Sequence, residues 1–329
     1  MHDMQERLIY LLDNYINEKL KRQETSLEEV KRIISGPGKG IDILNVIRIF
    51  FIDTLGDAID LLEMCDGCLD REIVAGISIE IIQPCMRQLD KAKGFIEDQR
   101  QKEIFSVKNL FYLLEKLKLF NIELISHKEE LDFTDTRENI IGVIFSPKKL
   151  KDYNWFGFIN ATLPKLQKSQ RDLKKELIKK YEDSLQMLRN TCVSHVIPHI
   201  INYLSLCDIK DQQQLEHLKQ IIKGEVKDES LNAEKIRGNM EETEKKFKEN
   251  LELVIRIISN NFSGETYKKI RKELLTTIAQ DITNSFQKLY DKLAVLTDSI
   301  QYESLSLPNI KTIYEAINNT IGKHTNDFI

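Results

Sequence analysis

The chain has 329 residues, 41% of them hydrophobic and 30% charged, with 48 basic against 52 acidic side chains and a formal net charge of −4. This composition is that of a folded, highly charged protein, and the near-balance of charge excludes a global pull toward nucleic acid or anionic membrane. With only 13 glycines and 6 prolines, the sequence argues against a turn-rich β fold and for long helices.

The N-terminal stretch MHDMQERLIYLLDNYINEK lacks the basic-then-apolar layout of a secretory signal. Apolar residues then recur at i, i+3, i+4 and i+7 almost throughout, while alternating strand-like runs are missing; the pattern predicts about nine or ten helices. The first is expected over 4–34, stopped by the glycines and proline of SGPGKG at 35–40. A very apolar helix follows from Asp42. Its run ILNVIRIFFIDTL is broken by Arg48 and Asp53 and falls short of the roughly 18–20 residues that a bilayer span needs. Leu44, Ile47, Phe51, Leu55, Ala58, Leu62, Cys65, Leu69 and Ile73 form one stripe, which predicts an uninterrupted helix through CDGC. Ser78 reads as an N-cap after a break at Gly76, with Glu80 in the first turn and a kink at Pro84. Further helices are expected over 103–128, 135–145 and 160–206, the last bent near Pro198. Irregular connections fall at 146–158, 224–230, 260–266 and 303–308. The predicted fold class is all-α, an elongated rod of consecutive helical bundles, with boundaries at 1–145, 146–225 and 226–329.

The five cysteines are odd in number and widely spread, as expected for reduced thiols in the cytosol. Cys65 and Cys68 could supply half a zinc site, with Cys192, His195 and His199 of CVSHVIPH as the remaining candidates. No Glu follows His195 as H-E-x-x-H chemistry requires, and Pro198 disturbs the turn between the histidines. No strand accompanies the C-x-x-C pair, which excludes a thioredoxin-like reading. SGPGKG lacks the P-loop spacing, and no G-x-S-x-G occurs. The expectation is therefore no catalytic residue, no cofactor, no metal and no small-molecule substrate. One contact face does stand out. In LPKLQKSQRDLKKELIKKYEDSLQML, Leu166, Leu173, Leu177, Tyr181, Leu185 and Leu188 share a helix face opposite Lys168, Arg171, Lys175 and Lys179. That basic face could meet solvent alone, an acidic partner helix or anionic head groups. Nucleic acid is not expected, because aromatic residues are not interleaved with the basic ones.

The segment CLDREIVAGISIEIIQPCMRQL (68–89), through Cys68, Asp70, Arg71, Gly76, Ser78, Glu80, Cys85 and Leu89, resembles part of the third subunit of the conserved oligomeric Golgi (COG) complex. The blocks QERLIYLLDNYINEKL (5–20), FSVKNLFYLLEKLKLFNIEL (105–124) and FINATLPKLQKSQRDLKKELIKKYEDSLQML (158–188) are also similar, in the family's order. The likeness covers 5–210 and, more loosely, 265–320. It implies the C-terminal helical-rod portion of a non-enzymatic vesicle tether, peripheral on the cytosolic face of Golgi membranes and acting in intra-Golgi retrograde transport. Other COG subunits, SNAREs, Rab GTPases and golgins are the partners it implies. Members are longer and carry an N-terminal coiled-coil portion without a counterpart here, and the linker at 35–40 is short. The competing readings are another cytosolic α-helical scaffold or adaptor and, more remotely, a zinc-binding helical protein.

Overall fold

The structure, a computed structural model, describes residues 2–21, 26–35, 46–50, 60, 68–69, 71–118, 125–132, 165–208, 212–223, 233–297, 303, 305 and 307–326. Contacts gather the chain into two compact units. One comprises Met1–Gln23, Phe51–Arg87 and Leu113–Lys180; the other comprises Glu24–Phe50, Gln88–Tyr112 and Tyr181–Ile329.

Helix α1 (His2–Tyr15) passes into a π-helical turn, Ile16–Lys21, and buries Leu12 and Ile16 one helical turn apart. The sequence predicts one helix over 4–34, but the chain starts afresh at Ser26. Its Oγ accepts the N–H of Glu29 at 3.2 Å and so caps α2 (Leu27–Ser35). Glu28 and Glu29 in the first turn and Arg32 in the last suit the helix dipole. The end of α2 at Ser35 agrees with the predicted stop; most of the SGPGKG segment lies outside the described residues.

Residues 46–50 are not helical, against the expected helix from Asp42. An apolar run of that length is equally compatible with a buried extended segment, because periodicity alone cannot tell the two apart. Cys65 lies outside the described residues. Cys68 sits in a turn and Leu69 in a bend, so the expected helix through CDGC does not run through them, although the stripe correctly places Leu69 in the core. Helix α3 (Arg71–Gly94) then runs unbroken through Gly76 and Pro84. Ser78 is no N-cap: it is 1% exposed, and its Oγ donates to the carbonyl of Val74 at 2.8 Å, the back-bond of a mid-helix serine.

Asp98 opens α4 (Gln99–Lys118) by accepting the N–H of Gln101 at 2.9 Å. From Glu103 to Leu110 every residue of α4 is buried, which places this stretch inside the core instead of at its edge. Glu103 is held there by Lys93 Nζ at 3.0 Å and Gln99 Nε2 at 2.7 Å. The helix does not reach the expected residue 128, since Ile125–Asp132 is a strand. Beyond it, β1 (Ile125–Asp132) pairs antiparallel with β2 (Lys165–Asp172), Ile125 opposite Asp172 and Asp132 opposite Lys165. This ribbon corrects the expectation of no strands. The predicted helix 135–145 and the connection 146–158 lie outside the described residues.

Asp172 ends β2 and starts α5 (Leu173–Val196): its Oδ1 accepts the N–H of Lys175 at 3.1 Å. Pro198 breaks the chain as expected, with Ile197 at φ −130 and ψ 57 between α5 and α6 (Pro198–Leu206). After α7 (Gln212–Ile222) come the two longest helices, α8 (Ala233–Asn261) and α9 (Lys268–Leu296), separated by a 3-10 turn at Glu265–Tyr267. Gly264 at φ 91 opens that turn, a conformation that side-chain-bearing residues rarely adopt. Ile236, Met240, Phe247, Leu251, Val254 and Ile258 of α8, at spacings of three, four and seven, are all buried. Phe247 meets Phe286 of α9 edge to face, ring centroids 6.2 Å apart. Lys292 of α9 donates to the carbonyl of Cys207 at 3.0 Å, satisfying the C-terminus of α6. Helix α10 (Ile310–Asn326) packs on α8 and α9 through Ile313 and Ile317, and Tyr290 donates its hydroxyl hydrogen to the Pro308 carbonyl. The fold class is all-α as expected, with the ribbon as its one departure among the described residues.

Candidate functional site

Phe105, Lys108, Asn109 and Tyr112 of α4 fall at i, i+3, i+4 and i+7, so two polar side chains occupy a helix face that also carries aromatics. Lys108 is 5% and Asn109 0% exposed. Asn261, at the end of α8, is 2% exposed. All three spend polar atoms on the backbone of residues 46–50. The N–H of Ile47 donates to Asn261 Oδ1 at 2.9 Å, and the N–H of Phe50 to Asn109 Oδ1 at 2.7 Å. Lys108 Nζ donates to the Ile47 carbonyl and sits 5.8 Å from the ring centroid of Tyr267. Burial pulls the Lys108 ammonium down to about 8. The Arg48 N–H reaches the Ile33 carbonyl of α2 at 3.3 Å. Tyr267 in turn packs against Phe111 (5.4 Å) and Phe262 (5.9 Å). Sequence reading missed this cluster; its signal was polar residues in phase with the core stripes, Lys108 and Asn109 after Phe105 and Asn261 after Val254 and Ile258.

The four basic residues expected on one helix face are divided. Lys168 and Arg171 lie on β2, in register with Glu129 and Ser126, while Lys175 and Lys179 lie on α5. Lys175 and Lys179 are exposed opposite the buried Leu173 and Leu177. Lys175 Nζ pairs with Asp172 at 3.2 Å. Asp172's carboxyl is held below its usual range, chiefly by the Lys175 backbone N–H. An N-cap aspartate followed by an acidic residue, Glu176, was the sequence signal that the helix starts here.

Of the cysteine and histidine candidates, Cys65 lies outside the described residues. Cys68 is exposed, whereas Cys192 is buried and its thiol pushed up to about 12 by burial. His195 and His199 line a cleft of ≈ 290 Å³ between the α5–α6 junction and α8, with Glu242 and Lys246 opposite. His199 Nε2 is 3.5 Å from Glu242, which also binds Lys246 Nζ at 2.7 Å. Burial, then the nearby Arg100 charge, lowers His195 below its ordinary value, and its buried Nε2 has no hydrogen-bond partner. Thr243 spends its hydroxyl hydrogen on the Asn239 carbonyl at 2.7 Å, so it is not aligned with either imidazole as a nucleophile. Among the described residues no group of three or more His, Cys, Asp or Glu side chains could hold a metal ion. Nor, among them, is any helix long and apolar enough to cross a membrane.

Residues 1–136 match the family described as "Conserved oligomeric Golgi complex subunit 3, C-terminal", which bears out over that segment the resemblance read from the sequence. The "Conserved oligomeric Golgi complex subunit 3" of Drosophila melanogaster is 25% identical over 132 residues, 39% of this chain and 14% of that protein. The match thus spans about one seventh of the relative's length. A solved chain described as "Computational Design of Self-Assembling Cyclic Protein Homooligomers" aligns over 98% of both chains at 12% identity and a TM-score of 0.24, which carries no argument about the fold.

Proposed function

We propose that this chain is a non-catalytic subunit of a vesicle-tethering assembly, binding sister subunits of the COG complex at the cytosolic face of Golgi membranes and serving intra-Golgi retrograde transport. The observation that carries this reading is the match of residues 1–136 to the C-terminal family of the third COG subunit. The mechanism is binding and alignment, with affinity concentrated in a few buried contacts at each interface. SNAREs, Rab GTPases and golgins are further partners in this reading, which takes them from the resemblance. Affinity-tagged chain expressed in cells is expected to co-purify the other COG subunits. Recovery of none of them would overturn the reading in favour of another cytosolic helical scaffold, a second reading that rests on residues 137–329, which the family match does not reach.

Within the same proposal, Lys168, Arg171, Lys175 and Lys179 form a contact for an acidic partner or anionic lipid. Its support is the exposure of Lys175 and Lys179 on the outer side of α5. Reversing all four charges is expected to leave the helical circular dichroism unchanged and to weaken subunit co-purification or binding to phosphatidylserine vesicles at least fivefold. Unchanged binding in both assays would return these residues to solvent.

A further inference from the structure

Residues 46–50 are held in the way a binding site holds a peptide. Ile47 is 1% exposed while its neighbours Val46 and Arg48 face solvent. The Phe50 ring meets Phe105 edge-on at 6.0 Å. The polar contacts go to main-chain atoms: the N–H and carbonyl of Ile47 and the N–H of Phe50 are read by Asn261, Lys108 and Asn109. Each asparagine is oriented by its own helix before it meets the segment. Asn109 Nδ2 donates to the Phe105 carbonyl at 2.8 Å and Asn261 Nδ2 to the Ile257 carbonyl at 3.0 Å, both four residues back. An amide anchored through its NH₂ must present its oxygen outward. The two acceptors are therefore fixed by α4 and α8, whatever lies between them, and two helices have arrived at the same device. Side chains buried this deeply would be costly without partners, so a main chain with N–H and C=O groups left free by secondary structure is what these positions are built to receive.

We propose that α4 and α8 form a peptide-binding site for a non-helical main chain with apolar side chains at its first and fourth positions, filled in cis by Ile47–Phe50. The segment is an exchangeable internal ligand, and a chain of the same form competes with it for Lys108, Asn109 and Asn261. The site is independent of the tethering reading and does not fall with it.

The test uses the full chain and a fluorescein-labelled peptide NVIRIF, the sequence of residues 45–50. Weakening the internal ligand with Ile47→Gly and Phe50→Ala is expected to raise peptide affinity at least tenfold over the unaltered chain, measured by fluorescence anisotropy. Adding Asn109→Ala, or N-methylating the peptide at the isoleucine that corresponds to Ile47, is expected to remove that gain. Equal binding to both chains, or a gain that survives either change, overturns the proposal. If the weakened chain fails to fold, native-state hydrogen exchange of the unaltered chain decides. The amides of Ile47 and Phe50 are expected to exchange at least tenfold faster than those of Ile255 and Ile258, by local release of the segment. Exchange at the same rate would make the segment an inseparable part of the core and overturn the proposal.

Discussion

Lys108→Met removes the buried ammonium while keeping the length of the side chain. Burial lowers Lys108 from an ordinary 10.5 to about 8. At about 1.4 kcal/mol per tenfold, keeping it charged at pH 7 costs the fold on the order of 3 kcal/mol. Its hydrogen bond to the Ile47 carbonyl and its place over Tyr267 return about 1–3 kcal/mol, so the substitution is expected to be close to neutral at pH 7. The pH dependence is the sharper expectation. Because the folded value lies below the unfolded one, the unfolded chain binds the extra proton between about pH 8 and 10.5, and stability rises with pH across that window. The unaltered chain should therefore gain about 3 kcal/mol relative to Lys108→Met between pH 7 and 10.5, followed by urea denaturation of both proteins. Other groups titrate alike in the two and cancel. Tyr267, the titratable group against which Lys108 rests, is raised above the ordinary tyrosine value, chiefly by burial. A stability difference that does not change with pH would refute the reasoning.

Ser26→Ala is expected to cost about 1 kcal/mol through loss of the α2 cap, whereas Ser78→Ala should cost under about 0.5 kcal/mol, since the Val74 carbonyl lies within a continuous helix; thermal melts compare the two. Lys292→Ala should lose about 1 kcal/mol in urea titration by freeing the carbonyl at the end of α6. Cys68 should alkylate with iodoacetamide at least tenfold faster than Cys85, Cys192 and Cys207 by peptide mass mapping. All three slower thiols are buried and raised, the first two to about 12, and thiolate is the reactive form.

Much of the helical architecture was legible because long helices write their burial into the sequence. The separation of α8 from α9 near 260–266, the stop after α2 and the break at Pro198 all followed from turn residues and from proline chemistry. Starts were harder to read. Ser26 and Asp172 both cap helices, yet apolar stripes run in phase across each of them, so a single helix fits the pattern as well as two elements do. Ser78 failed in the opposite sense: a serine after glycine is an N-cap only where the backbone breaks, and in α3 it does not. The ribbon of β1 and β2 carries almost no apolar alternation, since ISHKEELD and KLQKSQRD are mostly polar, and pairing register is a long-range property that no local window records. The non-helical segment at 46–50 was missed for the same reason. Its main-chain groups are received by side chains of α4 and α8, far along the sequence.

That arrangement sets a timetable for the chain during synthesis. Ile47 is partnered by Asn261, 214 residues further on, and Phe50 by Asn109, 59 residues on. At about 5–20 residues per second, a ribosome needs roughly 10–40 seconds between making Ile47 and making its partner. Through most of that interval α4 is already made but Ile47 still lacks its α8 partner, and loop closure over such a distance comes late in folding. A nascent chain with these residues exposed is a natural client for chaperones. The last step of its maturation is then the docking of a segment made near the beginning.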